Sequence, residues 1–312
     1  MEVFNSLSEV KKDKNTVITL GTFDGIHLGH KKIIEEVNNK AEKLRARSFL
    51  ITFDPHPRIV VSKGHTIKLL NTLQEKIEIL GNLKIQNLLI INFTKEFSQL
   101  TSEEFFKNYI IDKIGLKEIV IGYDHHFGKG RGGDENTLRE MGKEFDFNVT
   151  RVDAVNINGT SVSSTKIRNA LAEGNISLAN SFLGRYYSFH GNVVKGDGRG
   201  RLLGFPTANI KLKEENKLLP AIGIYAVELS VDNVKHFGLM SIGKRPTFYN
   251  DGQLTTEIYI FDFDKNIYDK NVIVKVVERI RGEEKYSSPE ELVAQMKKDK
   301  EAGMEIMSRL TN

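Results

Sequence analysis

Hydrophobic positions in the first half of the chain form short continuous runs, separated by stretches in which they recur at helical spacing. The runs predict strands at residues 16–20, 48–53, 87–93, 117–124 and 147–155, and the first two of them are predicted to be buried. The intervening patterns predict helices at residues 30–46, 72–83 and 101–114, the last opening on a capping-box pattern. Strands that alternate with helices indicate an α/β fold, here a doubly wound, Rossmann-like parallel sheet.

The rhythm changes after about Gly184. Five β-rich segments follow, separated by turn residues, at 187–196, 223–232, 235–243, 254–263 and 271–280. Strands at this spacing favour an antiparallel barrel or sandwich. A long helix over residues 288–310, with Pro289 in its first turn, closes the chain. We therefore expect two domains, residues 1–183 with the parallel sheet and residues 184–312 with an antiparallel β-barrel and its closing helix.

Composition narrows the class of protein. The 312 residues are 39% hydrophobic and 28% charged, with a net charge of +4 and no cysteine. The lack of cysteine excludes disulfides, thiolate zinc sites and cysteine nucleophiles. Since charges are mixed and no apolar run has the length of a membrane span, we expect neither a nucleic acid nor a membrane as partner. A cytoplasmic location is the default expectation, and an oligomer is possible but not predictable.

The string "GTFDGIHLGH", residues 21–30, joins the first predicted strand to the first predicted helix. Unpaired N–H groups and the positive end of the dipole make a helix start favourable for an anion. His27 and His30, three positions apart, can face the same way and donate to phosphate oxygens. The alternatives are a metal pair or a turn whose histidines only cap the helix, and spacing by itself leaves them open.

A second polar cluster, Ser163, Ser164 and Thr165, begins a predicted helix that ends at Gly174. Hydroxyl groups cap helix starts, which is the plain interpretation. No Glu or Gln occupies the capping-box position, however, so capping does not account for all three hydroxyls. Arg168, one turn further on, directs a fork of donors toward the same region.

The second half contains a glycine-rich segment that begins at Gly196 and Gly198 and carries Arg199 and Arg201. It leads into Thr207 and Asn209, whose oxygens share one face if the segment is a strand, and hard oxygen ligands of this kind suit Mg²⁺. The alternative is a polar turn before an edge strand. Glu257 alternates with Tyr259, Phe261 and Phe263, so it is either a general base beside an aromatic face or a solvated surface residue.

These motifs resemble two known families. The string at residues 21–30 resembles the GxFDGxHxGH signature of the HxGH nucleotidyltransferases, in the form found in bacterial flavin adenylyltransferases, and residues 163–168 resemble their SSTxxR motif. The segments "GRGRLLGFPTANI", "PAIGIYAVEL", "SIGKRPTF" and "TEIYIFDF" resemble, in order, those of riboflavin kinase. Together they identify the bacterial bifunctional riboflavin kinase/FAD synthetase family over nearly the whole chain.

The resemblance implies two reactions, ATP-dependent phosphorylation of riboflavin to FMN and adenylyl transfer from ATP to FMN, with Mg²⁺ accompanying ATP. It implies Glu257, His27, His30 and Arg168 as catalytic residues and Thr207 and Asn209 as Mg²⁺ ligands. Contacts with ATP or its phosphates are implied for Gly21, Phe23, His56, Asp124, Ser163, Ser164, Thr165, Gly196, Gly198 and Arg201.

One departure and two rival functions accompany this interpretation. After Asp124 many relatives carry an aromatic residue and then a variable or basic one, whereas this chain has His125 and His126, which bears on the flavin-side contacts. One rival is a nucleotidyltransferase that acts on another phosphorylated metabolite. The other is a non-catalytic nucleotide- or nucleic-acid-binding protein, which interleaved aromatic and basic residues on adjacent strands would favour.

Overall fold

The computed structural model describes residues 1–62, 67–196, 198–244 and 254–311. Contacts along the chain divide it into two compact units, Met1–Ser164 and Thr165–Asn312. Each unit is described by itself below.

The first unit is built on a parallel sheet of six strands. They are β1 (Glu2–Phe4), β2 (Thr16–Leu20), β3 (Arg47–Asp54), β4 (Asn87–Asn92), β5 (Glu118–Gly122) and β6 (Asn148–Val152). Their spatial order is β1-β4-β3-β2-β5-β6, and every neighbouring pair is parallel. The five predicted strands are confirmed, whereas the three-residue β1 at the edge was not predicted.

The α-helices of the described residues that accompany this sheet are α1 (Leu28–Leu44), α2 (Pro57–Val61), α3 (Leu73–Gly81), α4 (Ser102–Phe105), which continues as a π-helical segment (Phe106–Ile114), and α5 (Glu135–Phe145). The predicted capping box forms at the start of α4, where Thr101 and Glu104 accept from each other's backbone N–H groups. A short hairpin, β7 (Asn156–Ile157) and β8 (Thr160–Ser161), precedes the end of the unit.

Apolar side chains cover both faces of the sheet, which explains the continuous hydrophobic runs of its strands. Within β2, Ile18 and Leu20 belong to one buried cluster and Val17 to the other. Strands β3, β4 and β5 divide their side chains between the two clusters in the same alternating way. The predicted doubly wound sheet is confirmed.

The order of the strands locates a crevice. From β2 the chain proceeds through β3 to β4 on one side of the sheet, and it then returns to place β5 and β6 on the other side of β2. Ligands of open parallel sheets bind outside the carboxyl ends of the strands at such a reversal. The segments that follow β2 and β5 therefore flank the expected binding position.

The second unit contains a closed six-stranded antiparallel barrel. Its strands are β9 (Tyr187–Val194), β10 (Thr207–Leu212), β11 (Gly223–Val231), β12 (Val234–Lys244), β13 (Leu254–Ile260) and β14 (Asn271–Arg281). The order is β10-β13-β12-β11-β14-β9, and pairing between β9 and β10 closes the ring. The sequence left a barrel and a sandwich open, and the structure is a barrel.

Within the described residues, the second part of the chain also contains the helices α6 (Ser164–Ala172), α7 (Ile176–Leu183), α8 (Arg199–Leu202) and α9 (Pro289–Thr311). The long helix α9 confirms the predicted closing helix. Asn180 on α7 donates to the carbonyls of Val276 and Val277 at 3.0 and 3.2 Å, which ties α7 to β14. By contacts the division of the chain thus falls after Ser164, and the expected domain boundary after residue 183 stays a prediction.

Candidate active sites

The turn between β2 and α1 has an unusual backbone. Phe23, Gly25 and Ile26 have φ values of 46°, 89° and 39°. A positive φ is rare for a bulky or β-branched residue, and such strain persists only where the surroundings enforce it. At Gly25 a side chain would also meet Leu70, because a Cβ there would lie 2.8 Å from Leu70 Cδ1. The glycine at this position is therefore required by both conformation and space.

The two predicted histidines meet at the start of α1. His27 is the N-cap residue, and its Nδ1 accepts from the backbone N–H of His30 at 3.4 Å. The imidazole rings stack with their centroids 3.7 Å apart, and the ring of Phe23 lies 5.0 Å from that of His30. Because Nδ1 of His27 accepts, the neutral ring carries its proton on Nε2, the form that can donate to an anion.

Hydrogen bonds of the buried residue Asp24 stabilise the conformation of the turn. The Asp24 carboxylate, 2% exposed, accepts from the backbone N–H of Leu70 at 3.0 Å and of Asn71 at 3.1 Å. The Asp24 carbonyl accepts from Ser164 Oγ at 2.8 Å, so the structure brings one of the three predicted hydroxyl residues to the turn. These bonds fix the direction of the main chain just before His27.

Lys76 is a residue of this site that sequence reasoning missed. It lies on α3 and donates from Nζ to the carbonyl of Thr22 in the turn. A signal was present, because Lys76 occurs three residues after Leu73 and four before Leu80, on the apolar face of a helix. A charged residue at such a position needs a buried partner.

The remaining predicted residues of this site are more dispersed. His56 is the N-cap of α2, with Nδ1 accepting from the Arg58 N–H at 3.1 Å, and Asp124 is exposed after β5. Gly21 and Ser163 are partly buried. Thr165 is exposed and Arg168 partly buried, and both lie in the second unit, so their contacts with ATP stay predictions.

His125 has an environment unlike that of its neighbours. Its ring stacks on Phe127 with centroids 5.8 Å apart, and its Nε2 is shielded from solvent without a hydrogen-bond partner among the residues the structure describes. Burial, with smaller contributions from the charges of His126 and Arg131, lowers the pKa of His125 to about 4. His125 is therefore a neutral, aromatic-like side chain at neutral pH.

The barrel brings together the three residues predicted for the second site. Thr207 Oγ1 donates to Glu257 Oε2 at 2.9 Å. Asn209 lies directly opposite Glu257 in the pairing of β10 with β13, and Ser241 lies opposite it on β12. The Thr207 hydroxyl, the Asn209 amide and the Glu257 carboxylate thus form one patch on the barrel wall, whose oxygen atoms could bind a cation.

Burial along β13 shows which face carries this patch. Thr256, Ile258 and Ile260 are buried, whereas Glu257 and Tyr259 are partly exposed, so Glu257 points to the outer face of the barrel. Tyr259 packs edge-on against Phe205 at 5.1 Å and Phe261 at 5.9 Å. Glu257 therefore shares its face with Tyr259 and is also accessible to solvent. The sequence left open a base beside an aromatic face and a solvated carboxylate, and Glu257 has features of both.

The glycine-rich segment folds over the same patch. A Cβ at Gly196 would overlap the Asn209 amide, and one at Gly200 would lie 3.3 Å from Thr207 Oγ1. The carbonyl of Gly200 accepts from the Phe205 N–H at 2.8 Å, and Gly198 has a left-handed φ of 70°. Arg201 is exposed on α8. Only small residues let this backbone approach Thr207 and Asn209 so closely.

Comparison with known families assigns the two halves of the chain. A model of the FAD synthetase family matches residues 9–166, and a model of the riboflavin kinase family matches residues 183–307. The first match contains the predicted residues of the first site except Arg168, and the second match contains those of the second site. Residues 167–182 belong to neither match.

Curated relatives match over almost the full length. A bifunctional riboflavin kinase/FMN adenylyltransferase of Listeria monocytogenes is 37% identical over 96% of this chain and 94% of the relative. Proteins of the same description from Buchnera aphidicola and Escherichia coli are 36% and 32% identical, over 100% and 95% of this chain and 99% and 93% of theirs.

Among solved structures, a macrolide-efflux protein from Streptococcus pneumoniae has a TM-score of 0.88 and 32% identity, over 97% of this chain and 98% of that one. Across the part of this chain that the structure describes, no helix has the length and apolar character needed to cross a membrane.

Proposed function

Because this chain belongs to the family of bifunctional riboflavin kinases/FMN adenylyltransferases, we propose a set of catalytic and ligand-binding residues for each of its two reactions. The C-terminal unit phosphorylates riboflavin with ATP to give FMN. The N-terminal unit transfers the adenylyl group of ATP to FMN, giving FAD and pyrophosphate. The cytoplasmic location stays a prediction.

In adenylyl transfer, a phosphate oxygen of FMN attacks the α-phosphorus of ATP, and the bond from that phosphorus to pyrophosphate breaks. We assign His27 and His30 to stabilise the charge that develops on the phosphoryl oxygens. The observation that carries this assignment is the stacked pair of imidazoles at the start of α1, beside the reversal of strand order. The N-cap bond of His27 supports donation from its Nε2.

The hydroxyls of Ser163, Ser164 and Thr165 and the guanidinium of Arg168 would hold the triphosphate. The bond from Ser164 to the turn supports this placement for the beginning of the motif. Gly21, Phe23, His56 and Asp124 would contact the nucleotide, since all four belong to the turn or follow strands β3 and β5 at the carboxyl edge of the sheet. No covalent enzyme intermediate is needed, because positioning and charge stabilisation suffice for an in-line displacement.

In the kinase reaction, Glu257 would accept the proton of the ribityl hydroxyl as its oxygen attacks the γ-phosphorus of ATP and ADP departs. The hydrogen bond from Thr207 to Glu257 carries this assignment, since it orients one carboxylate oxygen and leaves the other for the substrate. The segment around Gly196, Gly198 and Arg201 would cover the phosphates, in keeping with its close approach to Asn209.

The donor set fits Mg²⁺. Thr207 and Asn209 present neutral oxygens beside the Glu257 carboxylate, and Mg²⁺ takes few protein ligands and completes its shell with phosphate and water. Thr207 and Asn209 would hold the ion, which when bound would neutralise charge on the phosphates.

The experiment is a chromatographic time course with riboflavin, ATP and Mg²⁺. FMN should rise first and FAD should follow. His30→Ala should abolish FAD formation and leave FMN formation intact, because His30 lies in the N-terminal unit and its ring packs against Phe23 and His27 of the turn. Glu257→Ala should abolish FMN formation yet still convert supplied FMN to FAD. Equal loss of both activities in each variant would contradict the assignment of separate sites.

A further inference from the structure

Lys76 is a buried ammonium with neutral hydrogen-bond partners. The residue is 6% exposed, and Nζ donates to the Thr22 carbonyl at 2.8 Å and to Thr52 Oγ1 at 3.1 Å. Thr52 Oγ1 in turn donates to the same Thr22 carbonyl at 3.2 Å. Three elements, α3, β3 and the turn after β2, therefore converge on one carbonyl oxygen.

The nearby carboxylates do not fully compensate this charge. Burial lowers the pKa of the Lys76 ammonium, and the charges of Asp24 on the turn and Asp54 at the end of β3 oppose that shift without cancelling it. The Asp24 carboxylate is also engaged with the backbone N–H groups of Leu70 and Asn71. A buried cation held by neutral oxygens is costly unless an anion comes close to it.

The bond to Thr22 also sets the direction of the next amide. In a trans peptide the C=O and the following N–H point to opposite sides. Since the Thr22 carbonyl points to Lys76 on α3, the Phe23 N–H points away from α3. Among the residues that the structure describes, this N–H has no hydrogen-bond acceptor. Phe23 is the first of the left-handed residues of the turn.

We propose that Lys76 is a positioning residue for adenylyl transfer, which orients the Phe23 N–H toward the nucleotide phosphates and supplies a buried positive charge that the bound triphosphate balances. This proposal rests on the assignment of ATP to the turn. It predicts that ATP binding favours the protonated form of Lys76, so binding at alkaline pH takes up protons from solution.

Two substitutions of Lys76 distinguish the effect of its charge from the effect of its size. Lys76→Met removes the charge and the donors at similar length, whereas Lys76→Arg keeps a charge that does not titrate in the range used. Lys143→Met, an exposed lysine of α5, is the matched control. Lys76→Met should weaken FMN adenylylation about tenfold or more in kcat/KM for ATP, as expected for loss of hydrogen bonds from a charged donor. Riboflavin kinase activity, on the same chain, should not change.

The decisive readout is calorimetry of ATP binding to the full chain at about pH 9, below the ordinary lysine value of 10.5, in two buffers of different ionisation enthalpy. The wild type and Lys143→Met should take up protons on binding ATP, and Lys76→Met and Lys76→Arg should take up fewer. The ATP of the kinase unit contributes equally to all four proteins. Lys76→Arg should recover part of the activity lost in Lys76→Met.

Equal proton uptake in the wild type and Lys76→Met would overturn the proposal, even if Lys76→Met were less stable. So would an unchanged kcat/KM for ATP in a folded Lys76→Met protein. A wild type that forms FMN but never FAD would instead contradict the assignment of the turn to adenylyl transfer, which keeps the two failures apart.

Discussion

At the scale of single residues, sequence spacing predicts the orientation of the side chains better in the first site than in the second. His27 and His30 were predicted to face the same way, and their rings do stack. For Glu257 the alternation along its strand left a buried base and a solvated carboxylate open, because alternation does not tell which face a loop covers. The answer depends on Gly196 and Gly200, whose backbone closely approaches Asn209 and Thr207, and alternation along β13 does not reveal these contacts.

Lys76 and Asp24 show a second reason why sequence reasoning falls short. The hydrogen bonds of Asp24 go to the backbone N–H groups of Leu70 and Asn71, and those of Lys76 go to Thr22 and Thr52. All of these partners except the Thr52 hydroxyl are backbone groups, which carry no residue-type signal and are therefore invisible in a sequence. Only the position of Lys76 on an apolar helix face indicated that it had one.

The lowered pKa of His125 makes a prediction about stability. Between pH 6.5 and 4 the unfolded chain protonates this residue while the folded chain does not, so protonation favours unfolding as the pH falls. The stabilising contribution of neutral His125 is fully present above its pKa in the unfolded chain, 6.5. It is lost as the pH falls toward its pKa in the folded chain, about 4. We expect His125 to account for about 2 kcal/mol of lower unfolding free energy at pH 5 than at pH 7.

Urea unfolding of the wild type and His125→Phe at both pH values measures this difference. His125→Phe should have a smaller loss of stability on acidification, because phenylalanine keeps the contact with Phe127 and does not titrate. His126→Phe is the comparison, since His126 is exposed and its charge contributes less than burial does to the lowered pKa of His125, so this variant should retain most of the pH dependence of the wild type. Identical pH dependence in His125→Phe and the wild type would contradict the prediction.

At the scale of elements, strong periodicity gave reliable predictions and context decided the rest. The runs that became β2 to β5 are buried on both faces and have no polar alternation to obscure them. The helix α5 was not predicted, although Leu138 and Met141 on it are buried, because Gly142 interrupts the helical pattern. That glycine is required by packing, since a Cβ there would lie 2.6 Å from the Phe147 carbonyl oxygen.

A buried ion pair joins the closing helix α9 to β14, in addition to the apolar contacts of Ile306 and Met307. Asp299, 3% exposed, accepts from Arg281 Nε at 2.9 Å and from its terminal nitrogen at 2.7 Å. Asp299→Ala leaves the partly exposed guanidinium with only the more distant carboxylate of Glu284, at 4.0 Å, so we expect the unfolding free energy of the barrel unit to fall by about 2 kcal/mol. The exposed Glu305 on the same helix is the comparison, and Glu305→Ala should change it by less than about 0.5 kcal/mol.

Urea denaturation followed by far-ultraviolet circular dichroism would measure the unfolding free energies of Asp299→Ala and Glu305→Ala. Limited proteolysis should also cleave within α9 faster in Asp299→Ala than in the wild type. A stability for Asp299→Ala equal to that of Glu305→Ala would show that the pair contributes little net energy.

At the scale of the whole molecule, each unit has its own sheet and its own core, and His30 and Glu257 lie in different units. We therefore expect the two reactions to be separable on different chains. A mixture of His30→Ala and Glu257→Ala should convert riboflavin to FAD, because FMN released by the first protein is the substrate of the second. Neither variant by itself should form FAD from riboflavin.

A time course of the mixture, with the total chain concentration held constant, measures this complementation. FAD should follow FMN with a lag that shortens as the concentration of the Glu257→Ala protein rises. A mixture that accumulates FMN without FAD, while supplied FMN is adenylylated normally, would contradict free exchange of FMN between chains.

The closed ring of the barrel also has a consequence for synthesis on the ribosome. Its first strand, β9, pairs with its last strand, β14, and 76 residues lie between Val194 and Asn271. At about 5–20 residues per second, the nascent β9 waits about 4–15 s for that partner. During this interval it exposes an unpaired edge, so folding of the kinase half depends on translation rate and on chaperones that shield nascent strands.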